Sequence, residues 1–125
     1  MIGFKPLSIF TAILSLILFL SLLFLPKPIF FIFQIPEFDS AFFIARRAAM
    51  LFLGIAVICW LGRDALHSPS RQSVCRGLAV AMLGLACLGI FEYLRGFAGL
   101  GIGLAVITEA IIGAAYLKIW FKNHK

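Results

Sequence analysis

The sequence predicts an all-α fold: a bundle of four transmembrane helices with an aromatic interfacial loop between the first two. Three observations predict it. Apolar residues make up 63% of the chain and charged residues 13%, about half the charged share of a soluble domain. Four apolar stretches, at about 7–25, 42–62, 73–94 and 98–117, each approach the roughly 20 residues that a helix needs to cross ~30 Å of hydrocarbon. Between them stand prolines, a polar loop and a glycine-bearing turn, the punctuation that separates helices. The 125 residues make a single integral membrane domain.

The first stretch, LSIFTAILSLILFLSLLFL, comes after Lys5 and Pro6, and proline is readily accepted in a helix's first turn. It is longer than the apolar core of a signal peptide. Pro26, Lys27 and Pro28 stand where a small-x-small cleavage site would be, so it reads as a retained helix. Residues 26–40, PKPIFFIFQIPEFDS, hold Pro26, Pro28 and Pro36 among Phe30, Phe31, Phe33 and Phe38. They are too short and too broken to span. Two postures fit: an aromatic segment lying along one membrane surface, with a short helix between the prolines, or an apolar loop folded over the bundle end.

The second stretch, FFIARRAAMLFLGIAVICWLG, carries Arg46 and Arg47 near its start. The apolar residues beyond the arginines are too few to cross the hydrocarbon by themselves, so both arginines belong to the span. Residues 63–76, RDALHSPSRQSVCR, are the sustained polar stretch and read as a loop in water. The third span starts near Ser73 and closes on Glu92, Tyr93 and Arg95; the fourth runs to Leu117 and leads into a basic tail. Four spans put both termini on one side. Lys5, Arg63, Arg71, Arg76, Lys118, Lys122 and Lys125 fall on that side and Lys27, Arg46, Arg47 and Arg95 on the other. Positive residues favour the cytoplasmic face, which predicts a multi-pass protein with both termini inside.

Helix association in lipid relies on close backbone approach at small residues. Gly99 and Gly103 form a GxxxG, and Gly101, Ala105, Glu109 and Gly113 recur at four-residue spacing on one helix face. That stripe predicts the inward face of the fourth helix, with packing inside the chain favoured over dimerisation and Glu109 kept from lipid.

Arg46, Arg47, Glu92, Tyr93 and Glu109 form the candidate polar cluster, the first four toward the outer surface and Glu109 near the middle of the fourth span, at compatible depths. Burying charge of one sign is expensive, and pairing is the usual relief. One arginine is therefore expected to pair with Glu92 or Glu109 while the other snorkels to the surface. Two function classes stay open. The first is a structural or accessory membrane subunit held by an Arg/Glu clamp inside the bundle. The second is a carrier or binder of a small lipophilic or anionic ligand, or of an ion, at the same cluster.

Inventory weighs against an enzyme. His67 and His124 sit in a loop and in the tail, so no bis-histidine haem is expected. No grouped metal ligands, GxSxG, P-loop or HExxH is present, and Cys59, Cys75 and Cys87 show no CxxC spacing, which leaves no catalytic residue, metal or cofactor to assign. Ser8, Ser15 and Ser21 are expected to bond their own helix backbone. The net charge of +6 is scattered singly between apolar runs, a pattern of topology and not of nucleic-acid binding. The expected partners are the lipid bilayer and either other membrane subunits or further copies of the chain.

The stretch ARRAAMLFLGIAVICWLGRD, the short polar loop after it, GIFEYLRG and ITEAIIGAAYLKIW resemble small bacterial four-helix membrane proteins of unknown function near the DoxX-like families. The resemblance covers about residues 41–120 and contains no catalytic motif. It implies a compact four-helix protein of the bacterial inner membrane and brings no assigned activity.

Overall fold

Helix ends fall where backbone chemistry forces them. The computed structural model describes residues 3–96 and 98–122. Helix α1 spans Phe4–Phe24 and stops at Leu25, whose φ of −136° and ψ of 65° are non-helical. The residue before a proline is pushed out of the helical region. Helix α2, Pro26–Phe33, starts on that proline. It ends where Gln34 takes up φ 55° and ψ 47°, with Ile35 N–H donating to Phe30 O at 2.9 Å and Gln34 N–H to Phe31 O at 3.2 Å. This double closure satisfies the last carbonyls of the helix. Helix α3, Asp39–Leu61, begins three residues before the expected start at 42, with Asp39 in its first turn against the positive end of the helix dipole.

Helix α4, Pro69–Leu94, also starts earlier than expected. Ser68 caps it by accepting the Arg71 N–H at 3.2 Å, and Pro69 occupies the first turn. Four residues before Ser73 thus join the helix and shorten the loop. It stops at Gly96, whose φ of 85° suits a residue without a Cβ. Helix α5, Ile102–Lys122, begins four residues later than the expected 98 and ends five later than 117. Gly99 and Gly101 lie in the turn before it, where Ile102 N–H donates to Gly99 O at 3.1 Å.

Among the described residues there is no strand, and α1, α3, α4 and α5 are long and apolar enough to cross a membrane. The aromatic loop between the first two of these contains α2. Two helix pairs make the bundle: α1 packs along α3, α4 packs along α5, and α1 against α5 joins them. Small side chains set both pairings. Ala12 and Ser15 of α1 and Ala49 and Ala56 of α3 are buried. A Cβ on Gly113 would stand 2.8 Å from Leu83 Cγ and 3.1 Å from the Leu83 backbone nitrogen. Backbones approach closely where side chains are small, and dispersion contacts rather than water exclusion hold helices in lipid.

The shared core gathers at one end. Phe4 and Leu7 from α1, Cys59 from α3, Cys75, Leu78 and Met82 from α4, and Ile112, Tyr116 and Ile119 from α5 are buried together. Lys5 Nζ meets Asp64 Oδ1 there at 2.8 Å, and Gln72 Nε2 donates to Trp120 O at 3.2 Å. The start of α1, the α3–α4 loop and the end of α5 therefore share this basic end. At the opposite, aromatic end α2 ties the pairs together. Gly99 N–H donates to Phe33 O at 2.8 Å, a Cβ on Gly101 would collide with the Ile32 carbonyl, and the Phe30 ring lies 4.9 Å from that of Phe42.

Candidate intramembrane polar site

Two polar stripes face each other across the junction of the helix pairs. Ser8, Thr11 and Ser15 recur at three- and four-residue spacing, so they line one face of α1, and all three are buried. On α5, Glu109, Gly113 and Tyr116 share a face by the same spacing. The Tyr116 hydroxyl lies 3.1 Å from Ser8 Oγ and 3.8 Å from Cys59 Sγ, and its ring meets Phe4 edge-on at 6.2 Å. Thr11 donates to its own helix at Leu7 O, 2.8 Å away. Ser8 does not bond its own helix as expected; its hydroxyl turns across to α5, where a buried phenol needs a partner.

This seam does not stand out in the sequence. Its signal was the spacing of Ser8, Thr11 and Ser15, legible only once a second polar face stands opposite.

Helices α1 and α5 are antiparallel, so seven residues along each from the Ser8–Tyr116 contact reach Ser15 and Glu109, both roughly 10 Å nearer the aromatic end. Glu109 is half-buried, and its Oε2 is enclosed without a hydrogen-bond partner. An unsatisfied buried acceptor costs ~1–3 kcal/mol, more when charged.

The arginines do not reach it. Arg46 and Arg47 are exposed on α3, and the Arg47 guanidinium lies 5.9 Å from the Phe43 ring, one turn nearer the aromatic end. That direction is the one a snorkelling side chain takes. Among the described residues the ion pairs are Lys5–Asp64, Arg63–Asp64 and Arg95–Glu92. The pairing expected of Arg46 or Arg47 with Glu92 or Glu109 is absent, for two reasons. Glu92 is taken at 2.9 Å by Arg95, three residues along the same chain, a contact that needs no tertiary closure. And α3, which carries the arginines, packs on α1 and not along α5. Tyr93 is exposed at the end of α4.

Charges of opposite sign nevertheless sit at one depth. Arg46 comes seven residues after the start of α3, and Glu109 comes seven after the start of α5. Both helices start at the aromatic end, so each charge lies roughly 10 Å along from it, on different helix pairs.

The glycine stripe divides. Gly113 makes the close approach to α4, and Ala105 is half-buried. Gly99 lies before the helix, against the Gln34 side chain, and a Cβ on Gly103 would meet nothing within 4 Å. The GxxxG pair therefore does not act as one helix face. No group of three or more His, Cys, Asp or Glu side chains gathers among the described residues.

Compared with protein-family models, with curated proteins and with solved structures, the chain matches none. The likeness to DoxX-like proteins gains no support from these comparisons. What stands is a small chain with four helices fit to cross a membrane.

Proposed function

We propose that this chain is an accessory membrane subunit that completes its buried electrostatics against neighbouring membrane helices. One observation carries the reading: Arg46 and Arg47 on one helix pair and Glu109 on the other lie at matched depth, and none of them is in an ion pair among the described residues. Ionisable groups at such depth are costly, and they ordinarily find partners of opposite sign. The clamp expected inside the bundle becomes a clamp between chains.

The bilayer orientation with both termini in the cytoplasm belongs to the same proposal. Lys5, Arg63, Arg71, Arg76, Lys118 and Lys122 at the basic end face one described acid, Asp64, whereas Lys27, Arg46, Arg47 and Arg95 share the aromatic half with Glu37, Asp39, Glu92 and Glu109. This imbalance supports it.

The test is mass measurement in mild detergent after purification from the native membrane. Assembly with a partner subunit or a second copy is expected for the wild type. Glu109→Gln and the double substitution Arg46→Gln/Arg47→Gln should each weaken it by roughly fivefold to a hundredfold, the range of a lost buried charge contact of ~1–3 kcal/mol. A monomeric wild type, or an assembly indifferent to both substitutions, overturns the proposal.

A second reading, a binder of a small lipophilic molecule, is favoured by one feature: Oε2 of Glu109 is enclosed by the chain itself. Such a site would take a cationic or hydrogen-bond-donating ligand instead of an anionic one. A small molecule retained by the purified wild type and lost from Glu109→Gln, with mass unchanged otherwise, would select this reading.

A further inference from the structure

The basic end carries more positive charge than it neutralises, and the surplus is concentrated. Lys5 at the start of α1 and Arg63 after α3 share one carboxylate, Asp64, at 2.8 and 4.0 Å. Arg71 in the first turn of α4 has no carboxylate partner among the described residues. Its guanidinium lies 4.4 Å from the centre of the Phe4 ring, and its Nη1 donates to Ala65 O at 3.2 Å. The Arg71 Nε is buried without a hydrogen-bond partner. The first turn of α4 holds no acid, so the partial positive charge of its N-terminus adds to the three side chains. Arg63 stacks over Trp60 at 4.0 Å, which sets its charge at the depth where tryptophan anchors a membrane protein.

Two exposed leucines stand among the polar groups of this cluster. Leu61 is 75% exposed, and Leu66, inside the polar loop, is 83% exposed. An exposed leucine in such a loop is explained when the loop rests on hydrocarbon at the membrane surface.

We infer that Lys5, Arg63 and Arg71 bind the phosphate of an anionic phospholipid, whose acyl chains lie along Leu61 and Leu66. A free phosphate would satisfy the cations and leave the leucines bare. A zwitterionic lipid would bring a cation into a cluster that already holds too many. The site shares no residue with the Glu109 region, so it stands or falls independently of assembly.

The experiment is native mass spectrometry of the intact chain titrated with phosphatidylglycerol and, separately, phosphatidylcholine of the same acyl chains. Phosphatidylglycerol should be retained at least about tenfold better, given roughly fivefold per neutralising cation near a membrane surface. Lys5→Gln/Arg71→Gln should bring retention down to the phosphatidylcholine level, and Lys27→Gln, at an exposed cation of the aromatic end, should leave it unchanged. Asp64→Asn, which removes the competing carboxylate, should raise phosphatidylglycerol retention by about fivefold, and it serves as the test if the double substitution fails to fold. Equal retention of the two lipids, indifference to Lys5→Gln/Arg71→Gln, an equal loss in Lys27→Gln, or no gain in Asp64→Asn would overturn the inference. Displacement of the lipid by millimolar inorganic phosphate would overturn it too, because the occupant would then be the free anion.

Discussion

Tyr116 shows what one side chain does in this bundle. Its ring fills the junction where both helix pairs meet, and its hydroxyl finds Ser8 and Cys59 on the other pair. The two roles separate by substitution. Tyr116→Phe keeps the ring and loses the Ser8 contact, and interhelical hydrogen bonds in membrane proteins average only ~0.6 kcal/mol. Tyr116→Ala opens a cavity at the junction, for which ~3–5 kcal/mol is the usual range for a large aromatic. Denaturation in detergent should therefore show a barely shifted midpoint for the first variant and severe destabilisation for the second. At the surface, Asp64 obeys a different rule. Its hydrogen bond to Lys5, with Arg63 adding attraction, holds its carboxyl below the usual carboxylate range. The folded state thus binds this proton less readily than the unfolded state does. Whatever the pair contributes is present above an unfolded value of about 3.9 and is lost as pH falls through the lower folded value. The contribution is small because both partners are largely exposed. The melting midpoints of wild type and Asp64→Asn, measured from pH 7 to pH 3, should differ slightly at neutral pH and converge in acid.

At the scale of the helix, α5 shows why a motif differs from a contact. Gly99 and Gly103 satisfy the GxxxG spacing, yet the helix starts only at Ile102, so the first glycine is spent on a turn. Gly113, which belongs to no such pair, is the residue against which α4 packs. Gly113→Leu should cost ~1–3 kcal/mol by overpacking against Leu83, whereas Gly103→Ala, with open space at its Cβ, should change stability by no more than ~1 kcal/mol. Paired thermal melts in one detergent would read the difference. The helix starts obey similar local logic. Ser68 and Pro69 outweighed the polarity of the residues after them, because a capped N-terminus satisfies orphan N–H groups that polarity alone does not. Those signals are present in the sequence, where hydropathy alone points to a start at Ser73.

The whole molecule is two helix pairs fastened at both ends: by the Tyr116 junction at one, and by α2 on the turn before α5 at the other. Fusing a reporter to either terminus should give the same cytoplasmic signal, and opposite signals would refute the orientation proposed from the basic residues. The all-α class, the four spans and the intervening aromatic segment were readable from the sequence, because hydrocarbon thickness and backbone hydrogen bonding allow a long apolar stretch few other forms. So was the placing of Arg46, Arg47 and Glu109 within long apolar helices. Apart from the local Glu92–Arg95 pair, which charges meet was decided by the tertiary structure. Nothing along the chain says that α3 lies on α1 and α5 on α4, and it is this pairing that keeps the arginines from Glu109 and turns Ser8 toward Tyr116. A span is a property of consecutive residues against lipid, whereas an ion pair depends on which helices become neighbours, and that choice rests on side-chain packing between residues far apart in sequence.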